Sequence, residues 1–162
     1  MKVELHNLSV EKSELSDVIL LKNNLRKSDI NEIWLAEKIT PEKALLKGYV
    51  HSEPCLTLKK NGIPIAMFGV VPDKDQKGLG MIWMLGSDEI DTVKKSFVRI
   101  SVEAINALFG LYSMMGNFVF SGNFKTLDWL ACLGAEFSEP ISHGPFKAPF
   151  NIFKFKRGDA HV

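Results

Sequence analysis

Residues 115–137 read MGNFVFSGNFKTLDWLACLGAEF, and this stretch decides the fold of the chain. The short apolar run 117–120 ends at a Ser-Gly-Asn turn. A pattern of helical period follows, and its apolar face carries Leu127, Leu130, Ala131 and Leu133. Gly134 ends that pattern before a second apolar run begins at Ala135. The stretch predicts a strand, a helix of about three turns capped by Asn123, a glycine terminator and another strand.

The same spacing resembles the closing motif of the GNAT (Gcn5-related N-acetyltransferase) superfamily. There an Asn opens the last helix and Leu-Gly-(Phe or Ala)-x-Phe follows it, as Asn123 and residues 133–137, LGAEF, do here. The resemblance implies an α+β fold with a twisted mixed sheet of six or seven strands and helices on both faces. A single domain over residues 1–162 is expected, in which segment 1–24 is polar and its structure is left open.

Composition excludes several classes of function. A net charge of +1 without a densely basic window gives no support for nucleic-acid binding. The longest apolar stretches, such as 63–71, are far shorter than the ~20 residues of a membrane span, and the N-terminus lacks a signal-peptide pattern. We therefore expect synthesis in the cytoplasm. Cys55 and Cys132 are expected to be buried free thiols, and no His has Cys or carboxylate neighbours at metal-ligand spacing.

The hydrophobic pattern predicts the remaining elements. A first strand is expected near 3–8, and 18–21 fits either a strand or a helix. Ser28 is expected to cap a helix whose pattern includes Ile30, Ile33, Trp34 and Glu37, and Thr40-Pro41 to open another through Tyr49.

Three antiparallel strands are expected at 55–59, 63–71 and 80–85, the first two joined by an Asn61-Gly62 hairpin turn. The longest helix, 92–111, should then cross over so that strand 117–120 lies parallel to 80–85. The last strands are expected at 136–141 and 151–156.

The GNAT resemblance implies that the loop after the third antiparallel strand, residues 85–92, binds the pyrophosphate of acetyl-CoA through backbone N–H groups. This loop has one glycine, and its carboxylates Asp88, Glu89 and Asp91 would repel an anion. We expect acetyl-CoA to bind weakly or not at all, with a Kd above about 1 mM. If it binds, Ser87, Thr92 and Asn123 are the expected contacts. The glycine-rich run 76–80 precedes the strand instead of following it and fits a hairpin turn.

No catalytic residue is predicted. Strand 81–85 has no ionisable side chain, and Leu130 occupies the position that carries a Tyr acid in many GNAT enzymes.

A narrower resemblance rests on three segments: residues 82–89, IWMLGSDE, residues 94–97, KKSF, and the closing motif. They look like the small acetyltransferase-like proteins of short-tailed bacteriophages, including internal virion proteins needed for particle assembly. The resemblance implies a non-catalytic structural or assembly protein without cofactor, which contacts other virion proteins or itself and resides in the host cytoplasm and then the virion. The alternative is an active acetyl-CoA-dependent N-acetyltransferase acting on a small amine or a protein.

Phe146 and Phe150 are the predicted partner contacts. They lie in the run HGPFKAPF, residues 143–150, where two prolines interrupt a regular strand, so one or both rings are expected on the surface. A loop folded back onto the core is the alternative.

Overall fold

The eight strands form one mixed sheet in the order β1-β2-β3-β4-β5-β8-β6, and β7 pairs with β8. This computed structural model describes residues 7–158. The strands are β1 Leu8–Lys12, β2 Cys55–Lys60, β3 Ile63–Pro72, β4 Leu79–Gly86, β5 Met114–Phe120, β6 Glu136–Phe137, β7 Ile141–His143 and β8 Ala148–Lys156. The helices are α1 Leu15–Leu21, α2 Lys27–Glu37, α3 Pro41–His51, α4 Lys94–Leu108 and α5 Phe124–Cys132, with a 3-10 helix at Asp88–Val93. The strand expected near 3–8 falls largely outside the described residues.

The helices cover both faces of the sheet, as the sequence predicts. On one face α1, α2 and α3 pack over β2 and β3, with Val18, Ile33, Leu45 and Met67 buried together. On the other face α4 buries Phe97 and Ile100 against β1, β2 and β3, and α4 and α5 share a second cluster with β5 and β8. The ambiguous segment 18–21 belongs to helix α1.

The predicted antiparallel hairpin and the parallel crossover are both confirmed. Asn61 and Gly62 turn between β2 and β3 with φ of 52° and 79°, the left-handed values that an Asn-Gly hairpin turn needs. β4 pairs antiparallel with β3, and β5 runs parallel to β4 after the α4 crossover. Helix α4 begins at Lys94, two residues later than predicted, because Thr92 and Val93 belong to the 3-10 helix.

Helix α2 differs from its prediction in phase. It begins after Arg26 without a side-chain cap, so Ser28 is not its N-cap. Ile30 and Trp34 are 41% and 44% exposed, whereas Asp29 is 5% exposed. The helix buries this carboxylate because Asp29 Oδ2 accepts the Gly86 N–H at 2.8 Å and Arg26 pairs with the same side chain.

The strand predicted at 136–141 is two strands, which makes eight instead of the expected six or seven. Pro140 has no N–H to donate to a ladder. Between the two strands, Ser138 makes two hydrogen bonds with Ile152 of β8. Its N–H donates to the Ile152 carbonyl and its Oγ accepts the Ile152 N–H, at 2.8 Å each.

One prediction of side-chain burial is wrong, and one of the two predicted partner contacts does not lie at the surface. Phe150 is fully buried, and its ring packs edge-on against Phe120 and His143. Cys132 is exposed at the last turn of α5, whereas Cys55 is buried as expected. Phe146 is 48% exposed, as predicted for one of the two rings.

Candidate functional site

The parallel strands β4 and β5 separate after only three residue pairs, the last of which joins Met81 and Gly116. The Asn117 side chain spans the point of separation, since its Nδ2 donates to the Ile82 carbonyl at 2.9 Å. Beyond it the strands diverge toward Gly86 and Phe120, each held by its other neighbour, β3 or β8. The opening between them is called the β4–β5 slot below.

Cavities adjoin the slot on both faces of the sheet. The larger, of about 480 Å³, lies on the α2 and α3 side and has charged and polar groups in its lining. The smaller, of about 80 Å³, lies under α4 and α5 and is almost entirely apolar. Ile82, Trp83, Met84, Trp129, Leu130 and Phe153 line both cavities. An elongated molecule placed in the slot would therefore touch both faces of the sheet.

The backbone of β4 leaves one residue open toward the slot. Backbone groups of a strand alternate sides, and the Ile82 carbonyl and both Gly86 groups point into the slot, where they bind Asn117, Asp29 and Arg26. Met84 lies between them and points the same way, with no strand beside it among the described residues. Its N–H and C=O can pair with an extended amide-containing ligand, as an added strand would.

Trp129 provides an unsatisfied donor at the slot. Its Nε1 is buried and is the one buried side-chain polar atom between residues 7 and 158 without a hydrogen-bond partner. The ring is fixed by stacking on Phe97, with centroids 5.4 Å apart. A buried donor without an acceptor costs about 1–3 kcal/mol, and the Trp129 side chain lines both cavities.

Two carboxylates of α2, one helical turn apart, hold the wide end of the slot. Asp29 accepts the N–H of Gly86 at the end of β4, and Glu32 accepts the N–H of Phe120 at the end of β5, both at 2.8 Å. Burial raises the Asp29 pKa, and Arg26 and the Gly86 N–H oppose that rise. Asp29 therefore anchors the end of β4 through its hydrogen bond with Gly86.

Glu32 is the carboxyl group in the lining of the larger cavity whose pKa lies near neutrality. Burial raises its pKa from 4.5 to about 7, against the lowering effect of the Phe120 N–H, and the nearby Asp29 charge raises it further. The Asn123 side chain also hydrogen-bonds Glu32 and lowers its pKa. A carboxyl group with a pKa near neutrality can take up and release protons at physiological pH, which is the property of a general base.

The β7–β8 hairpin closes one side of the larger cavity. The His143 ring stacks flat on Phe118, with centroids 3.7 Å apart, and both side chains line the cavity. The turn lies directly on the end of α2, where a Cβ on Gly144 would be 2.3 Å from the Leu35 carbonyl oxygen. Outside this contact, the ring centroids of Phe146 and Trp34 are 6.3 Å apart.

The 3-10 helix at Asp88–Val93 occupies the place where the sequence predicted a pyrophosphate loop. Four backbone N–H groups there have partners within the protein: Gly86 donates to Asp29, Ser87 to the Ile65 carbonyl, Glu89 to Ser87 Oγ and Ile90 to the Ser87 carbonyl. The space beside Gly86 is also filled, since a Cβ there would be 2.3 Å from Ile90 Cδ1. These four amides and Gly86 are therefore not open to a diphosphate.

The three predicted cofactor contacts lie in different environments. Ser87 is buried and caps the 3-10 helix, whereas Thr92 is exposed and accepts a hydrogen bond from Lys60 at 2.9 Å. Asn123 is the N-cap residue of α5, but its side chain makes no cap hydrogen bond. Of the three, only Asn123 affects Glu32, whose pKa it lowers.

Sequence patterns alone identify neither Glu32 nor Trp129 as a site residue. A signal for Glu32 exists in the i, i+3 spacing of Asp29 and Glu32 beside the aliphatic Ile33, but a solvated helix face gives the same pattern. Trp129 lies on the apolar face of α5 and cannot be distinguished from a core residue by sequence.

Comparison with solved structures shows the fold. The chain is similar to a ribosomal-protein-S5-alanine acetyltransferase from Vibrio fischeri, with a TM-score of 0.69 and 15% identity over 99% of this chain and 98% of that one. It is similar to AAC(6')-Ib in complex with ribostamycin and coenzyme A, with a TM-score of 0.68 and 13% identity over 93% and 94%. It is also similar to yncA from Salmonella typhimurium with its cofactor acetyl-CoA, with a TM-score of 0.65 and 8% identity over 96% and 97%.

These likenesses show that the chain has the fold of GNAT acetyltransferases, as its closing motif predicted. No family model and no curated protein sequence matches the chain. The narrower resemblance to phage virion proteins finds no support in these structures and stays a prediction. Within residues 7–158, no helix is long and apolar enough to cross a bilayer, and no three His, Cys, Asp or Glu side chains converge as metal ligands.

Proposed function

We propose that this chain, which has the GNAT fold, is an N-acyltransferase that moves an acyl group from a thioester in the β4–β5 slot to a primary amine. The observation that carries the proposal is the opening through the sheet with Glu32 at its wide end. An acetyltransferase solved with coenzyme A and one solved with acetyl-CoA share this fold, which supports a thioester donor of that kind. The assembly role in a phage particle has no such observation behind it.

The donor fits the slot through its pantetheine arm, which is extended and contains two amides. The Met84 backbone groups and the Trp129 indole N–H are the partners that remain for those amides and for the thioester carbonyl. The thioester would supply an activated carbonyl carbon and a thiol leaving group. The apolar lining under α4 and α5 keeps water from this region.

The amine enters from the α2 and α3 side, where Glu32 holds the wide end of the slot. The charged pairs Arg26–Asp29 and Lys47–Glu37 are already formed in this lining, so Glu32 is available to an incoming cation. With its pKa near 7, Glu32 removes the proton that an ammonium group must lose before its nitrogen can form an amide. A thiol of ordinary pKa leaves without a dedicated acid at neutral pH.

An acylation assay tests this proposal. Thiol release from acetyl-CoA and from S-acetylpantetheine is measured with polyamines, aminoglycosides, aromatic amines and peptides with a free N-terminus. For the amine that is used, we expect Glu32→Gln to lower kcat/KM by at least about 100-fold. The wild-type profile should rise through about pH 7, the Glu32 pKa, and this rise should be absent in the variant.

The isosteric control is Glu42→Gln, on the exposed side of α3 where Glu42 pairs with Lys22. It should keep wild-type activity. Absence of thiol release with every amine, or an unchanged rate in Glu32→Gln, would contradict the proposal.

A further inference from the structure

The end of the slot where an acyl-CoA would place its diphosphate is already filled by the protein. The Gly86, Ser87, Glu89 and Ile90 amides bind internal acceptors, and the Ile90 side chain occupies the space beside Gly86. Ile90 is 4% exposed, so its side chain is part of the core and does not give way to a ligand. Freeing the Glu89 and Ile90 amides would break the hydrogen bonds that hold the start of the 3-10 helix to Ser87.

Side-chain charges do not replace the missing amides. Glu89 pairs with Lys60 at 3.1 Å, and Asp91 pairs with Lys125 at 3.5 Å, which joins the starts of the 3-10 helix and of α5. In each pair a carboxylate of the 3-10 helix offsets the positive charge of the lysine. Lys94 and Lys95 are exposed on the first turn of α4, where an ion pair with a mobile phosphate contributes little.

The slot itself, by contrast, keeps unfilled partners for an amide-containing arm. Trp129 Nε1 is buried without an acceptor, and no residue of β5 pairs with Met84 on the slot side of β4. Both residues line the two cavities. The protein therefore leaves hydrogen-bonding groups free for the pantetheine arm of a donor. The four amides within residues 86–90 that could bind its diphosphate already have partners.

From this contrast we infer that the protein recognises its acyl donor through the pantetheine arm alone. The inference rests on the proposed function and deepens it. Its ligand class is the S-acyl pantetheine thioester, for which the attached nucleoside diphosphate contributes no affinity. Trp129 is the positioning residue of this site, because its N–H donates to a carbonyl of the arm.

Calorimetric titration with pantetheine and with CoA tests the inference without an acceptor amine. We expect both to bind with Kd below about 1 mM and within tenfold of each other. Trp129→Phe keeps the ring stacked on Phe97 but removes the donor, so it should weaken both ligands by at least about fivefold. The double variant Lys94→Ala, Lys95→Ala should change either Kd by less than twofold.

CoA binding more than tenfold tighter than pantetheine would overturn the inference and leave the proposed function standing. A selective loss of CoA affinity in the double lysine variant would do the same, since it would show a bound diphosphate. If Trp129→Phe binds pantetheine and CoA with wild-type affinity, the Trp129 N–H does not donate to the arm and that part of the inference is wrong. If neither ligand binds the wild-type protein, the proposed function fails and this inference fails with it.

Discussion

Glu32 combines two roles that pull its pKa in opposite directions. Its carboxylate accepts the N–H of Phe120, which favours the ionised form, while burial favours the protonated form and prevails. The folded protein therefore binds a proton at Glu32 between pH 4.5 and about 7, where the unfolded chain has released it.

This difference predicts how stability depends on pH. Because the folded state binds more protons, the contribution of Glu32 to the free energy of unfolding is largest below pH 4.5 and is lost as pH rises through about 7. The loss is at most about 3 kcal/mol, since one pKa unit corresponds to about 1.4 kcal/mol. Glu32→Gln should remove this dependence and be more stable than wild type at pH 8.

Urea unfolding of both proteins at pH 5 and pH 8 measures the effect. Glu42→Gln again serves as the control, because Glu42 is an exposed, paired carboxylate. Equal pH dependence in wild type and Glu32→Gln would show that the Glu32 pKa is not raised in the folded protein.

At the scale of elements, the β7–β8 hairpin depends on a glycine at its turn. Gly144 has φ of +80° and lies against the Leu35 and Ala36 carbonyls of α2, whereas Gly62 has nearly the same φ, +79°, with no atom near its missing Cβ. Both would be strained as alanine, but only Gly144→Ala would also push the hairpin away from α2.

We therefore expect Gly144→Ala to lower the free energy of unfolding by at least about 1 kcal/mol more than Gly62→Ala does. Thermal or urea unfolding of the two variants gives the comparison. Equal losses would mean that the turn does not rest on α2 in solution.

Which elements could be predicted from sequence depends on how local their causes are. The Asn61-Gly62 turn and the Thr40 cap, whose Oγ1 accepts the Lys43 N–H, need only neighbouring residues, and both were correct. The phase of α2 was wrong because Asp29 is buried by Gly86, which lies far along the chain. Hydrophobic periodicity assigns the inward positions to Ile30 and Trp34. The hydrogen bond between Asp29 and Gly86 leaves no trace in that periodicity.

At the scale of the whole molecule, the order of elements gave the fold and the position of the slot, but not its chemistry. The parallel β4–β5 pair follows from a strand, a crossover helix and a strand. The character of the slot arises from Glu32, Met84 and Trp129, which come from three separate elements and meet only in the folded chain. Long-range proximity of this kind has no signature in a single sequence.

The brief pairing of β4 with β5 also divides the chain into two parts in sequence order. Residues 8–108 build β1 to β4 with α1 to α4, and residues 114–156 build β5 to β8 with α5. Leu111 at the junction is 64% exposed. The parts meet in a shared core, where Ile105 and Leu108 pack with Met115 and Val119.

The protein should therefore tolerate a break in its backbone at this junction. Fragments 1–110 and 111–162, produced together, are expected to assemble one to one, because the cluster between them is apolar and only three residue pairs join β4 to β5. Co-purification and circular dichroism of the pair test this expectation. Val119→Asp in the shorter fragment should abolish assembly, and fragments that never associate would show that the uninterrupted crossover is required. In such an assembly the β4–β5 slot would form along the join between two chains.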